Sequence, residues 1–173
     1  DAIMTVRNAV TAEDQFAVSS AAIASCTEGR ADTHPSTQEH LRAPSPPTMK
    51  VMFLCVANSA RSQIAEGLAK GKAFFSEVES AGSAPSGAVR PLAIAAMKEI
   101  GIDITAQTSK DMADFDLNTF DAVVTLCAEE RCPVVLLKDK AKHLHWPFAD
   151  PAGDFPGETE EQKLVRFRKA RDD

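Results

Sequence analysis

The sequence predicts an α/β fold, a four-stranded parallel sheet flanked by helices on both faces, and three observations predict it. From Met49 onward, strand-type apolar runs alternate with helix-type segments, the pattern of strands joined by crossover connections. The β-type run from Val51 to Cys55 feeds directly into a short polar loop that opens a helix. Three chemically distinctive features, Cys55, Cys127 and Asp150-Pro151, fall at or just beyond three separate strand ends. In open α/β sheets that edge is where ligands sit.

The elements follow in order. Strand one is predicted over Lys50 to Cys55, and helix one from about Ser62 to Phe74. Glu77-Val-Glu-Ser-Ala81 is short and alternating, a second strand, and Gly82 to Gly87 is loop. The segment Pro91 to Ile100 has Pro at a helix start and Gly101 just past its end, which defines helix two. Asp121 to Cys127 reads as a buried third strand and His143-Leu-His-Trp146 as a fourth. From Gly157 to Arg171 the chain forms an amphipathic terminal helix with acids in its first turn and bases later.

Before Met49 the texture changes. Residues 1–48 are rich in Ala, Ser and Thr and close with Ala43-Pro-Ser-Pro-Pro-Thr48, an extended linker. Thr11-Ala-Glu-Asp14 is able to cap a short helix through Ser25. With Arg7, Arg30 and Arg42 set against six acids, and no apolar signal core, the stretch resembles neither a transit nor a signal peptide. The expected organisation is an N-terminal extension, 1–48, disordered or partly helical, and a functional domain over 49–173.

The 173 residues allow one domain with a proper core. Apolar and charged fractions of 44% and 25% are those of a globular protein. No segment approaches the ~18 uninterrupted apolar residues that span a bilayer, so no membrane role is expected. The net charge of −6 argues against general nucleic-acid binding. A small-molecule partner and a monomer are expected. Cys26, Cys55, Cys127 and Cys132 do not read as a secreted disulfide framework, and a cytoplasmic location follows as an expectation.

The chemistry concentrates in Cys55-Val-Ala-Asn-Ser-Ala-Arg-Ser62. A strand end, a short loop and a helix start direct backbone N–H groups and the positive end of a helix at one point, an oxyanion site. Val56, Ala57, Asn58, Ser59, Ala60, Arg61 and Ser62 are therefore the candidate anion-binding residues. Six residues after Cys55, the Arg61 guanidinium fork is placed to hold the anion that the sulfur attacks. The thiolate is the nucleophile, and the same field favours that form. Asn58 and Ser62 are able to hydrogen-bond the loop or the Cys55 sulfur.

Cys-x5-Arg-Ser directly after the first strand, with a distant Asp-Pro, resembles the low-molecular-weight protein tyrosine phosphatase superfamily. The segments Cys55 to Gln63, Ser80-Ala-Gly82, Thr125 to Pro133 and Trp146 to Gly153 resemble its arsenate reductase branch, and the similarity runs from Met49 to Asp173. The resemblance implies a phosphotyrosine-phosphatase-I-like three-layer sandwich. It also separates the branches: phosphatases of this family follow the Asp-Pro with tyrosines, whereas this chain reads Asp150-Pro-Ala-Gly153 and contains no Tyr. Reductases carry resolving cysteines near the third strand, where Cys127 and Cys132 stand.

The implied catalytic set is Cys55, Arg61, Cys127, Cys132 and Asp150. Arsenate is attacked by Cys55, Asp150 protonates the departing oxygen, and Cys127 then Cys132 carry the disulfide to an external dithiol such as thioredoxin, with no bound cofactor. Two departures stand out. Ala60 occupies a position where thioredoxin-coupled members have a cysteine, and Cys-x4-Cys is a narrow pair, which leaves glutaredoxin or glutathione open as the reductant.

Other readings remain beside this one. A phosphatase would use Cys55, Arg61 and Asp150 alone. An oxyanion-binding or zinc-bearing module would draw on Cys127, Cys132, His143 and His145, although Cys-x4-Cys is loose for a tetrahedral site and the expected metal ligand set is none. Ser62 as a helix cap, Asp150 as a turn opener beside Asp154 and Cys127 as a core thiol are the bland alternatives. Cys26 reads as incidental.

Overall fold

The computed structural model describes residues 3–6, 8, 48–128, 137, 142–153 and 155–173. The helix expected over 11–25, Cys26, Cys132 and Asp154 lie outside the described residues.

Four strands form one parallel sheet in the order β2-β1-β3-β4, with β1 Met49–Cys55, β2 Phe75–Gly82, β3 Ala122–Thr125 and β4 Lys142–His145. The expected α/β class with a four-stranded parallel sheet is the observed one, and of the two faces expected to carry helices one is covered, among the described residues, by short 3-10 turns. Leaving β1, the chain crosses to β2 on one side and later reaches β3 on the other, so the topological switch point lies between the carboxyl ends of β1 and β3. Strand β1 is central and alternates its side chains between two cores. Val51 and Phe53 pack with Ala69, Ala122, Val124 and Leu126, whereas Met52 and Leu54 pack with Ala81, Phe120 and Val123 on the opposite face.

The first face is covered by α1, Arg61–Lys70, whose Ala65, Leu68 and Ala69 meet the sheet. Its Ile64 turns outward to a third cluster with Ala93, Ala96 and Met97 of α2, Pro91–Lys98, and Phe167 of α3, Glu160–Asp172. On the second face, among the described residues, the cover comes from two 3-10 turns, Met112–Asp114 and Leu117–Thr119, with Met112, Phe115 and Leu117 in or beside them, and from Leu137.

Element ends differ from the sequence reading for local reasons. Helix α1 stops at Lys70 instead of Phe74 because Phe75 already pairs with Met49, and Met49 N–H bonds Phe74 O at 3.0 Å. The α2 end is a Schellman motif: Gly101 has φ 78°, Ile102 N–H reaches Met97 O at 3.1 Å, and Gly101 N–H reaches Lys98 O at 3.0 Å. The third strand is regular only to Thr125, although Leu126 N–H still bonds Leu54 O at 2.8 Å. At α3, Thr159 and Gln162 form a capping box. Its last turns are tied to α2 by Arg168 and Arg171, both on Glu99, with Arg171 Nη1 also donating to Ala96 O at 2.7 Å.

The N-terminal residues contribute to the first core. Residues 3–6 are helical, and Ile3 and Val6, three apart, turn inward onto the cluster containing Met49, Val51 and Leu126. No helix among the described residues is long and apolar enough to cross a membrane.

Candidate active site

The loop from Cys55 to Ala60 is shaped by where its carbonyls go. Cys55 O accepts from Ser83 N–H at 3.2 Å, Val56 O from Ala84 at 2.9 Å, Ala57 O from Ser86 at 3.0 Å, Ser59 O from Arg90 at 2.8 Å and Ala60 O from Ile64 at 2.9 Å. Asn58 O accepts from Gln63 Nε2 at 3.0 Å. All six carbonyls are thus engaged around the rim. Apart from Asn58 N–H, which donates to Cys55 Sγ at 3.2 Å, the loop N–H groups have no partner among the described residues. Helix α1 starts from Ala60 with no side-chain cap, so its first N–H groups face the same place.

Asn58 is the only non-glycine residue with positive φ among the described residues, at 44°, a conformation that Asn tolerates better than most. Its side chain buckles the loop. Nδ2 donates to Ser62 Oγ and Ser80 Oγ, both at 2.8 Å, while Oδ1 accepts from Lys110 N–H at 2.7 Å and Gln63 Nε2 at 3.0 Å. Ser62 Oγ also lies 3.0 Å from Cys55 Sγ, and when the sulfur is a thiolate the hydroxyl is the donor of that pair. The Asn58 N–H and the Ser62 hydroxyl thus both lie within hydrogen-bond reach of the sulfur. Cys55 is 2% exposed.

Behind Asn58 the polar chain continues inward. Ser80 Oγ donates to Glu66 Oε2 at 2.5 Å, and the buried Glu66 carboxylate is matched by Lys70 and by Lys110, whose Nζ also bonds Glu79. Pairing of this kind makes a buried carboxylate tolerable. Sequence reasoning missed Glu66, Lys110 and the hydroxyl of Ser80 as supports. Glu66 lies one helical turn after Ser62, a spacing that places it on the same face, whereas nothing local marks Lys110.

Gly82 closes the back of the loop. It lies opposite Cys55 in the β1–β2 register, and a Cβ there would stand 2.4 Å from Val56 O and 2.9 Å from Asn58 N. Gly82→Ala is expected to cost about 1–3 kcal/mol by overpacking and to weaken phosphate binding, because the displaced atoms belong to the anion loop. Thermal unfolding and phosphate titration read both effects; an unchanged melting temperature would contradict the close approach.

Arg61, with a side chain 11% exposed, donates from Nη1 to Phe148 O at 3.2 Å, and its Nη2 lies 3.4 Å from Asp150 Oδ2. Asp150 is half-exposed at 54%, with Oδ1 accepting from Ala152 N–H at 3.1 Å. The Trp146–Asp150 segment is led to this point by continuing along β3: Trp146 N–H bonds Thr125 O at 2.8 Å and Phe148 N–H bonds Leu126 O at 3.2 Å. Cys55, Arg61, Ser62 and Asp150 are thus brought to one mouth. Cys127 is buried and lies one residue beyond Leu126 at the adjoining strand end. Cys132 cannot be placed with them, since it lies outside the described residues.

His143 and His145 face the same way on β4, with His143 Nε2 and His145 Nδ1 each 3.0 Å from Thr125 Oγ1. Burial, and secondarily the charge of His145, holds His143 below the usual imidazole range. Among the described residues no group of three or more His, Cys, Asp or Glu is arranged to hold a metal ion.

Comparison with known proteins agrees with this geometry. The family described as low molecular weight phosphotyrosine protein phosphatase matches residues 50–155. An arsenate reductase of Bacillus subtilis (strain 168) is 46% identical over 129 residues, covering 71% of this chain and 87% of that protein. Among solved structures, an arsenate reductase in the phosphate binding state superposes with a TM-score of 0.58 at 37% identity, covering 72% of this chain and 89% of the other. A thioredoxin-dependent arsenate reductase of Corynebacterium glutamicum superposes with a TM-score of 0.51 at 28% identity, covering 73% of this chain and 60% of that one. A chain with Cys55 and Arg61 in one oxyanion loop, a buried thiol just past the end of the neighbouring strand and relatives of this extent belongs to the low molecular weight phosphotyrosine protein phosphatase family, in its arsenate reductase branch.

Proposed function

We infer that the protein reduces arsenate to arsenite. One observation carries the reading: a nucleophilic thiol sits in an anion loop, and a second buried thiol, Cys127, stands at the adjoining strand end. A phosphatase needs only the first. Arsenate is held by the N–H groups of residues 56–62 and by the Arg61 fork. Cys55 thiolate forms a sulfur–arsenic bond, and Asp150 supplies the proton with which one arsenate oxygen leaves as water. Cys127 thiolate then attacks Cys55 Sγ. As the sulfur–sulfur bond forms, the sulfur–arsenic bond breaks with its electron pair passing to arsenic, which leaves as arsenite. Attack by Cys132 on Cys127 restores the Cys55 thiolate and leaves a Cys127–Cys132 disulfide.

An external dithiol closes the cycle. A thioredoxin-type reductant is favoured by the thioredoxin-dependent relative in Corynebacterium glutamicum; the glutaredoxin or glutathione route is the competing source. We further read 49–173 as the catalytic domain, acting as a monomer in the cytoplasm.

The test runs arsenate-dependent oxidation of NADPH through thioredoxin and its reductase beside hydrolysis of an aryl phosphate. Arsenate turnover that dominates, with a Cys127–Cys132 disulfide mapped after one cycle, is the expected result. Dominant aryl phosphate hydrolysis with every thiol still reduced would replace this reading with a phosphatase.

A further inference from the structure

The family match begins at residue 50, yet one part of the core comes from far upstream. Ile3 and Val6 are 5% and 0% exposed, on a helical turn whose intervening Met4 and Thr5 face solvent. They pack into the cluster that includes Met49, Val51, Ala69 and Leu126, with Trp146 and Phe148 against its margin. Ile3 also lines a cleft of about 290 Å³ together with Arg61, Leu126, Trp146 and Phe148. Two side chains buried to this degree at helical spacing form an amphipathic turn seated in a groove.

Trp146 and Phe148 line that groove, and they belong to the segment that carries both partners of Arg61, Phe148 O and Asp150. We propose that residues 3–6 are a strap that docks in cis on the cleft beside Arg61 and, by backing Trp146 and Phe148, positions the guanidinium for its oxyanion. Ile3 and Val6 touch neither substrate nor the reacting sulfur, so the role is positioning. The proposal rests on the oxyanion reading of the Cys55–Ser62 loop, but the docking itself does not.

The chain reports on this contact directly, for Trp146 is its only Trp and it has no Tyr. In the full chain, the Ile3→Asp/Val6→Asp variant should shift Trp146 emission to the red and raise its acrylamide quenching. The dissociation constant for inorganic phosphate should rise on the order of tenfold, the loss expected when a charge-assisted hydrogen bond is misaligned. Ile3→Ala/Val6→Ala, which introduces no charge, should move both readouts in the same direction by less, and Ile3→Leu/Val6→Ile should restore them. Unchanged emission and quenching in both disruptive variants would overturn the docking. A red shift with phosphate affinity intact would overturn the positioning role. A parent chain that binds neither phosphate nor arsenate would remove the oxyanion reading first and this role with it, a failure distinct from the other two.

Discussion

Cys55→Ser is expected to abolish arsenate turnover while the protein still binds phosphate. A serine hydroxyl can take over the hydrogen bonds that Ser62 Oγ and Asn58 N–H make to the sulfur at 3.0 and 3.2 Å, so fold and loop should survive, with a stability change within about 1 kcal/mol. The chemistry does not survive. Serine offers no alkoxide at neutral pH, and no base stands beside it among the described residues in the way a hydrolase supplies one. Nor does an oxygen nucleophile have a thiol's access to disulfide exchange, so no electrons reach arsenic. Loss of a nucleophile in other enzymes costs about 10⁶-fold, and a fall of that order is expected in NADPH-coupled turnover. Residual activity of a few per cent, with phosphate affinity retained, would show that Cys55 is not the attacking group.

The second large effect belongs to Cys127→Ser, and it differs in kind. In the proposed relay, binding and the first bond need Cys55, Arg61 and Asp150 only, so aryl phosphate hydrolysis, however slow, should be unchanged. Arsenate reduction should stop, because the sulfur–arsenic bond then has no second thiolate to cleave it reductively. Released arsenite, counted per protein molecule in the presence of thioredoxin, should fall to background. Cys127 is buried, and replacing sulfur by oxygen there changes volume little, so a melting curve separates lost chemistry from lost fold. Arsenate turnover that persists in this variant would end the relay as described.

Much of this was legible in the sequence because the information is local. The strand, loop and helix around Cys55 occupy one continuous stretch. The Thr159–Gln162 cap and the Gly101 stop lie within a few residues of the helices they bound. Alternation placed His143 and His145 on one face, where both rings meet Thr125.

The remainder depends on distant partners. Lys110 reaches Asn58 across 52 residues of chain, and Arg61 reaches a backbone carbonyl, Phe148 O, across 87. A carbonyl carries no side-chain signature, so its role appears only once the chain is folded. Cover of the second sheet face by 3-10 turns was similarly hidden, since Met112, Phe115 and Leu117 do not repeat with an α-helical period. Ile3 and Val6 belong with these, two apolar residues in a stretch whose composition suggested only an appendage.

The outward-tied carbonyls around the Cys55 loop have a consequence for selectivity. A cavity whose donors are fixed before the guest arrives gives up little ordering free energy on binding. It recognises the shape and charge of a tetrahedral oxyanion, and phosphate matches arsenate in both. Discrimination at the docking step should therefore be poor, and phosphate is expected to compete and to raise the arsenate concentration needed for half-maximal rate. Arsenate is told apart afterwards, by its readiness to accept two electrons. Such an enzyme chooses its substrate by redox potential after admitting candidates by geometry.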